Sequence, residues 1–296
     1  MFKIGIDLGG TKTEAVILDE LGSIIKRERV ATGQENGYEH VVRVVSDLYK
    51  YMRDSINDQE HSIGIGTPGH TDRQGMIQNS SLLCLNHKPL IGDFERLTGR
   101  KTLTENDANC FAVAEALLGA GKGKDIVFGV IMGTGCGGGI VVNNRLIRGH
   151  QHMGGEIGHA ILHPGGRECF CGKRGCVERY ISGNGIEEGY LEKSGVKKRL
   201  QDILEDYRKG ESLATGIINL FFEDFGMTMS TIINIIDPDL IVLGGGLSNI
   251  EELYTLGIGK VGKYVFTEDP EILISKNMLG DSAGVIGAAL LHDLRH

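Results

Sequence analysis

The stretch Phe2 to Leu18, FKIGIDLGGTKTEAVIL, decides the architecture. Apolar residues run from Phe2 to Leu8, Gly9-Gly10 interrupts them, and Thr13 to Leu18 resumes the run, so the pattern predicts two strands joined by a tight turn. Ser23 to Val30 adds a third strand after Asp19-Glu20-Leu21-Gly22, completing an antiparallel meander. A strand that ends in glycine offers backbone N–H groups with no Cβ in the way, which suits an anion such as phosphate. Asp7 at the strand end, the Thr11 hydroxyl and the Lys12 ammonium extend this to a set suited to Mg2+ and the outer phosphates of a nucleotide. A hairpin turn with no ligand would read the same way if it stood alone.

The form recurs. Ile126 to Met132 predicts a buried strand, Gly133-Thr134-Gly135-Cys136-Gly137-Gly138-Gly139 a tight turn, Ile140 to Asn143 a returning strand and Arg145 to Arg148 a third. Internal duplication is the economical explanation. A third glycine turn, Gly244-Gly245-Gly246, follows the apolar run Asp239 to Leu243. Three such turns at strand ends point to nucleotide binding, although no G-x-x-x-x-G-K-[ST] motif occurs. Gly133, Gly135 and Gly138 do match G-x-G-x-x-G, but a strand follows them where a dinucleotide fold needs a helix.

Between these turns, Tyr38 to Ile56 has helical apolar spacing, and Ser62 to Gly66 is a short strand stopped by Thr67-Pro68-Gly69. Leu90 to Thr98 predicts a helix, Lys101 to Thr104 a strand, and Asp107 to Leu118 a helix capped by Asn106 or Asp107. After a glycine-rich loop from Gly154 to Gly175 the chain reads as helical through Ile236, with breaks at Gly183, Gly185 and Gly195. Pro270 to Ser275 predicts an edge strand and Ala283 to Leu291 a closing helix. The fold expected is α/β with two domains: residues 1–120 with 283–296 folding back onto them, and 121–282.

Composition removes several function classes. The 296 residues carry 31 basic and 39 acidic side chains, a net charge of −8, which disfavours nucleic acid and anionic membranes as partners. No apolar run approaches about 20 residues, and the N-terminus enters a strand pattern with no leader-like segment, so the cytoplasm is expected. Thiols stay reduced there, and clustered cysteines argue for metal before disulfide.

The cluster is CFCGKRGC, Cys169 to Cys176, ten residues after His159. Cys169, Cys171, Cys176 and His159 supply three thiolates and one imidazole, a closed tetrahedral set for structural zinc, and Gly172 and Gly175 let the chain wrap an ion. Free buried thiols are the other reading. Glu156 in GGEIGH and Glu178 just after Cys176 would then be held as rigid acceptors for the hydroxyls of a sugar or polyol. Cys84, Cys110 and Cys136 read as core or turn residues, His87 and His292 as surface residues, and His150, His152 and His163 have no partner spacing. TENDANC sets Asn106 and Asp107 where a strand feeds a helix. There a carboxylate can take a proton from a substrate hydroxyl and an amide can bond neighbouring hydroxyls, or the pair can simply cap the helix.

DLGGTKTE, GTPG, ENDANC, GTGCGGGI, GGEIGH, CFCGKRGCVE, IDPDLIVLGGGLS and GDSAGVIGAA occur in that order along nearly the whole chain. In them the sequence resembles the ROK family of bacterial sugar kinases and repressors, within the superfamily that also holds actin, the heat-shock chaperone ATPases and hexokinase. The resemblance implies a two-lobed, ribonuclease H-like ATPase fold that binds ATP, Mg2+ and a hexose. It implies Asp107 as base on the 6-hydroxyl, with Asn106, Glu156, His159 and Glu178 holding the ring. Gly9, Gly10, Thr11 and Lys12, and Gly133, Thr134, Gly135, Gly137 and Gly138, would hold phosphates. Gly244 and Gly245 would lie near adenosine, and Asp7 would bind Mg2+ through water. Family repressors carry a helix-turn-helix before the first glycine turn; none is expected here, where that turn begins at Gly9. NSSLLCLNHKPL and IMGTGCGGGI look most like bacterial fructokinases and mannokinases, so fructose or mannose is the expected acceptor, with N-acetylglucosamine or glucose as alternatives. The rival of another class is a sugar-sensing regulator without catalysis. A homodimer is expected.

Overall fold

The computed structural model describes residues 1–294. The chain forms β1 (Phe2–Leu8), β2 (Lys12–Leu18), β3 (Ile24–Ala31), α1 (Tyr38–Ser55), β4 (His61–Thr67), β5 (His70–Thr71), β6 (Ile77–Gln78), α2 (Leu90–Thr98), β7 (Leu103–Asn106) and α3 (Asp107–Leu117). It continues through β8 (Ile126–Met132), β9 (Cys136–Val142), β10 (Arg145–Leu146), α4 (Gly183–Ser194), α5 (Leu200–Arg208), α6 (Ser212–Ile236), β11 (Leu240–Gly244), α7 (Leu256–Val261), β12 (Ile274–Lys276) and α8 (Ala283–Leu290).

Two five-stranded sheets share one topology. The first runs β3-β2-β1-β4-β7 and the second β10-β9-β8-β11-β12. In the first, β1 pairs antiparallel with β2 and parallel with β4; in the second, β11 lies parallel to both β8 and β12. The repeat seen in the sequence is thus a repeat of whole sheets. Contacts divide the chain into one compact unit of residues 1–125, 139–155 and 278–296, and another of 126–138 and 156–277.

In the first unit, alternation along β1 and β4 sends Ile4, Ile6, Ile63 and Ile65 into one core with Val41, Val45, Tyr49 and Met52 of α1. The opposite face receives α8 at backbone distance. A Cβ on Gly5 would lie 2.2 Å from the Val285 carbonyl oxygen, and one on Gly64 2.0 Å from that of Ala288. These glycines are therefore spent on close packing of helix against sheet. Every residue of α3 from Ala108 to Ala116 is buried, and α3 packs on α8 so tightly that a Cβ on Gly287 would overlap the Cys110 carbonyl.

In the second unit the 25-residue α6 carries Phe221, Phe222 and Phe225 into the interior. Two expectations are corrected here. Gly183 and Gly185 do not break a helix; they lie in the first turn of α4, where the Ser182 hydroxyl caps the Gly185 N–H at 3.1 Å. Gly195 does end α4, in the left-handed conformation. Strand β9 begins at Cys136, inside the glycine run and earlier than Ile140, and the edge strand expected from Pro270 shrinks to Ile274–Lys276.

Candidate functional site

The first glycine turn is built by its neighbours. Gly9 N–H donates to the Lys12 carbonyl at 3.1 Å, which closes the turn between β1 and β2. Thr32, fully buried at the end of β3, donates its hydroxyl to the Gly9 carbonyl at 2.7 Å and its N–H to the Thr11 carbonyl at 3.0 Å. The Thr13 hydroxyl meets the Thr32 hydroxyl at 2.9 Å. Two carbonyl oxygens of the turn are thereby drawn onto Thr32, leaving Thr11 and Lys12 at the surface. Carbonyls that would repel an anion are occupied. Nothing local in the sequence marks Thr32; its role depends on the β2–β3 pairing that sets Lys12 opposite Ala31.

Carboxylates crowd this turn. Asp7 ends β1, and its carboxyl is pushed up to about 7, by burial first and then by Asp107 and Glu14, with Lys12 pulling the other way. Glu14 is buried and paired with Arg27 and Arg29. Asp107 is the first residue of α3. Surrounding protein raises its pKa, opposed by hydrogen bonds from the Ala108 and Asp107 N–H groups, yet the residue remains accessible to solvent. A carboxyl made more basic by burial is a better proton acceptor than an ordinary aspartate. Asn106 is the cap: its side-chain oxygen accepts from Asn109 N–H at 2.7 Å.

Beside Asn106 lies a cavity of about 420 Å3, walled in part by His70, Thr104, Glu105, Arg148 and His152. Glu105 pairs with Arg148 and accepts from the Asn109 amide at 3.1 Å. Sequence reading passed over Glu105 and Arg148, because their pairing spans 43 residues.

The second glycine turn is furnished differently. Gly133 N–H donates to the Gly135 carbonyl at 2.9 Å, and Gly183 N–H to the Gly133 carbonyl at 2.8 Å. Glu178 accepts from Cys136 N–H at 3.1 Å, and a Cβ on Gly135 would lie 2.5 Å from its carboxylate. Gly245, at φ 76°, follows β11 and lies so close to Met132 that a Cβ would come within 2.4 Å of that carbonyl. Gly133, Gly135, Glu178 and Gly245 are thus one neighbourhood within the second unit.

The cysteine loop assembles as expected. All six cysteines are free, and the ligand atoms of His159, Cys169, Cys171 and Cys176 lie within 4.8 Å of one another. His159 Nδ1 stands 3.7 Å from Cys169 Sγ, and Cys171 Sγ 3.6 Å from Cys176 Sγ. Tetrahedral thiolate coordination at about 2.3 Å requires ligand atoms about 3.8 Å apart, so the set fits a single metal ion. Burial, then the neighbouring Cys171 and Cys169, push the Cys176 thiol up to about 12, and a bound cation is what would let all three ionise. With Nδ1 turned to the thiols, the Nε2 edge of His159 is left for another partner. Cys84, Cys110 and Cys136 stand outside this set; Cys110 and Cys136 are buried. His163, for which the sequence offered no partner, meets Asp224 at 2.7 Å across 61 residues.

The chain is 37% identical to an N-acetyl-D-glucosamine kinase of Vibrio atlanticus, over 97% of this chain and 98% of that one. It is 34% identical to an N-acetyl-D-glucosamine kinase of Pasteurella multocida, over 98% of each. Among solved structures, a ROK hexokinase from Thermus thermophilus superposes with a TM-score of 0.89 at 31% identity, covering 98% of this chain and 97% of the other. A ROK family glucokinase from Streptomyces griseus, in complex with glucose and AMPPNP, gives 0.82 at 28% identity, covering 98% and 99%. The architecture is that of these ROK sugar kinases, and the ROK family model matches residues 3–294: the chain belongs to the ROK family.

Proposed function

We propose that this chain is an ATP-dependent kinase that phosphorylates the 6-hydroxyl of N-acetylglucosamine. The observation that carries the acceptor is the 37% identity, over nearly the full length of both chains, to a relative named for that sugar. Fructose or mannose, the acceptors expected from NSSLLCLNHKPL and IMGTGCGGGI, find no such support. The N-acetylglucosamine alternative takes their place, because acceptor choice turns on a few contacts that short motifs do not report.

In this reading Asp107 accepts the proton of the 6-hydroxyl as the new O–P bond forms and the bond to the ADP oxygen breaks; the proton then passes to solvent. Its raised pKa makes the carboxylate a better acceptor than an ordinary aspartate, and its position at the start of α3 still favours the anion between turnovers. Asn106, Glu156, His159 and Glu178 hold the sugar hydroxyls. Gly9, Gly10, Thr11 and Lys12, with Gly133, Thr134, Gly135, Gly137 and Gly138, receive the phosphates, and Gly244 and Gly245 lie against adenosine. Asp7 would hold Mg2+ through water, and the ion when bound would supply positive charge to the transferring phosphoryl group. His159, Cys169, Cys171 and Cys176 would hold zinc, which when bound would stiffen the loop that carries His159 and Glu178. The enzyme works as a cytoplasmic homodimer; no helix among the described residues is long and apolar enough to cross a membrane.

Coupled ADP release, measured with N-acetylglucosamine, N-acetylmannosamine, glucose, mannose and fructose, tests this. The highest kcat/KM is expected with N-acetylglucosamine. Tight sugar binding without ADP release from any of them would replace the kinase with a sugar-sensing protein.

A further inference from the structure

The metal loop is tied to the rest of its unit from the side away from its ligands. His163 sits inside that loop: the N–H groups of Leu162 and His163 both donate to the Gly175 carbonyl, at 2.8 and 3.1 Å, and the His163 carbonyl accepts from Gly166 N–H at 2.9 Å. The backbone fit is so close that a Cβ on Gly175 would overlap the His163 carbonyl, so the position of His163 fixes that of Gly175, the neighbour of Cys176. The His163 imidazole leaves the loop and bonds Asp224 on α6 at 2.7 Å, where the carboxylate side chain keeps only 12% of its surface. A charge so buried is costly without its partner.

A second strut runs parallel to it. The Tyr180 ring meets His163 edge-on, with centroids 4.5 Å apart, and its hydroxyl accepts from Arg167 N–H at 2.9 Å. The Arg167 guanidinium lies over the Tyr180 ring and donates to the carbonyls of Arg179 and Gly185, at 2.7 Å each. Arg167 thus serves the loop and α4 together.

We propose that His163 and Asp224 are a positioning pair: they brace the cysteine loop against α6, so that the four ligand atoms are arranged before the ion arrives. This rests on the reading of the loop as a zinc centre that carries sugar-binding residues. Neither residue belongs to the Cys3His set or to the residues proposed to hold the sugar, so the pair acts through Gly175 and Cys176. Preorganisation by outer residues is commonly worth tenfold or more in metal affinity.

The test uses the full chain carrying zinc and the variants Asp224→Ala and Asp224→Asn, each first checked for a cooperative melt. Zinc affinity and release are read by competition with a chromogenic chelator, with no sugar or turnover involved. Asp224→Ala is expected to weaken zinc binding about tenfold and to raise the sugar KM, while kcat and the ATP KM stay within about twofold. Asp224→Asn, which keeps an acceptor for His163 and removes only the charge, is expected to restore most of the zinc affinity. A folded Asp224→Ala protein with unchanged zinc release and sugar KM would overturn the pairing while leaving the zinc reading intact. A parent protein that purifies with no zinc and gains none would overturn both. Equal damage from Asn and Ala, without a KM-specific effect, would reduce the pair to a general fold contact.

Discussion

The two glycine turns sit at equivalent places in two sheets of the same topology, yet they are dressed for different work. The first is ringed by carboxyl groups, Asp7, Glu14 and Asp107, with Lys12 acting on Asp7 and with Arg27 and Arg29 paired to Glu14. At the second, Glu178 and Glu156 stand near the buried Cys136 thiol, Glu178 accepts from Cys136 N–H, and Gly133 is held through its own N–H and carbonyl by backbone bonds to Gly135 and Gly183. Duplicated architecture therefore supplies two similar backbone cradles, and in the proposed reading the side chains decide which turn manages metal and protons. If that contrast is right, substitutions around the first turn should damage turnover, and substitutions around the second should damage binding.

The largest effect is expected at Asp107. Asp107→Asn keeps size and hydrogen bonding while removing the proton acceptor, so kcat should fall by about 10^2 to 10^4 with sugar binding nearly intact. Isothermal titration with the acceptor alongside steady-state turnover checks this. Equal losses in both would make Asp107 a binding residue and blur the contrast.

Asp7 comes next. If Asp7 holds Mg2+ through water as proposed, its replacement by Asn should cost about 10- to 100-fold in kcat. The same change should stabilise the apoprotein, because an aspartate held at about 7 is unfavourable once ionised. In the unfolded chain Asp titrates near 3.9, so between roughly pH 4 and 7 the native state binds more protons than the unfolded one, and unfolding free energy falls as pH rises through that window. Melting curves in metal-free buffer should show Asp7→Asn above the parent at pH 8 and level with it near pH 4. A constant gap at both pH values would show that Asp7 does not titrate in this range.

What the sequence made legible follows the range of the interactions. β1, β2 and α1 were readable because alternation and helical spacing are local, and the Cys3His set because its members lie within 18 positions of chain. Gly183 and Gly185 misled because glycine disfavours helix interiors, whereas the first turn with Ser182 as cap tolerates it. Gly5 and Gly64 lie inside strands for a reason that no local pattern shows: the approach of α8, from the far end of the chain. Thr32, Arg148 and Asp224 stayed hidden because each acts on a partner far along the chain that only the fold brings near. The relatives favour the alternative acceptor over fructose or mannose; motifs report the shared machinery of a family, while the pocket that separates sugars is set by scattered side chains.

Thr32 sharpens the first half of the contrast. Thr32→Val preserves shape but leaves the Gly9 carbonyl without its hydroxyl donor, which should cost about 1–3 kcal/mol of stability. The turn would then be free to rotate a carbonyl toward the phosphates, so the ATP KM should rise several-fold while the sugar KM holds. Thr32→Ser, which keeps the hydroxyl, should recover the ATP KM. If Val and Ser behave alike, the hydroxyl is not what orients the turn.

The smallest effect probes the second turn. At Gly135 a new Cβ would fall 2.5 Å from the Glu178 carboxylate, the mobile end of a side chain, so Gly135→Ala is expected to fold with Glu178 displaced. Forcing a side chain off its rotamer costs about 0.5–1.5 kcal/mol, which in binding corresponds to about 2- to 10-fold. Because Glu178 is assigned to the sugar and the turn to phosphate, both KM values should rise by that modest factor while kcat stays near the parent's. That outcome separates the two turns by kind as well as size: losing a carboxyl at the first removes chemistry, and crowding the second only loosens a grip. A fall in kcat comparable to that of Asp7→Asn would mean that the second turn also shapes the transition state, and that the duplicated cradles share the work.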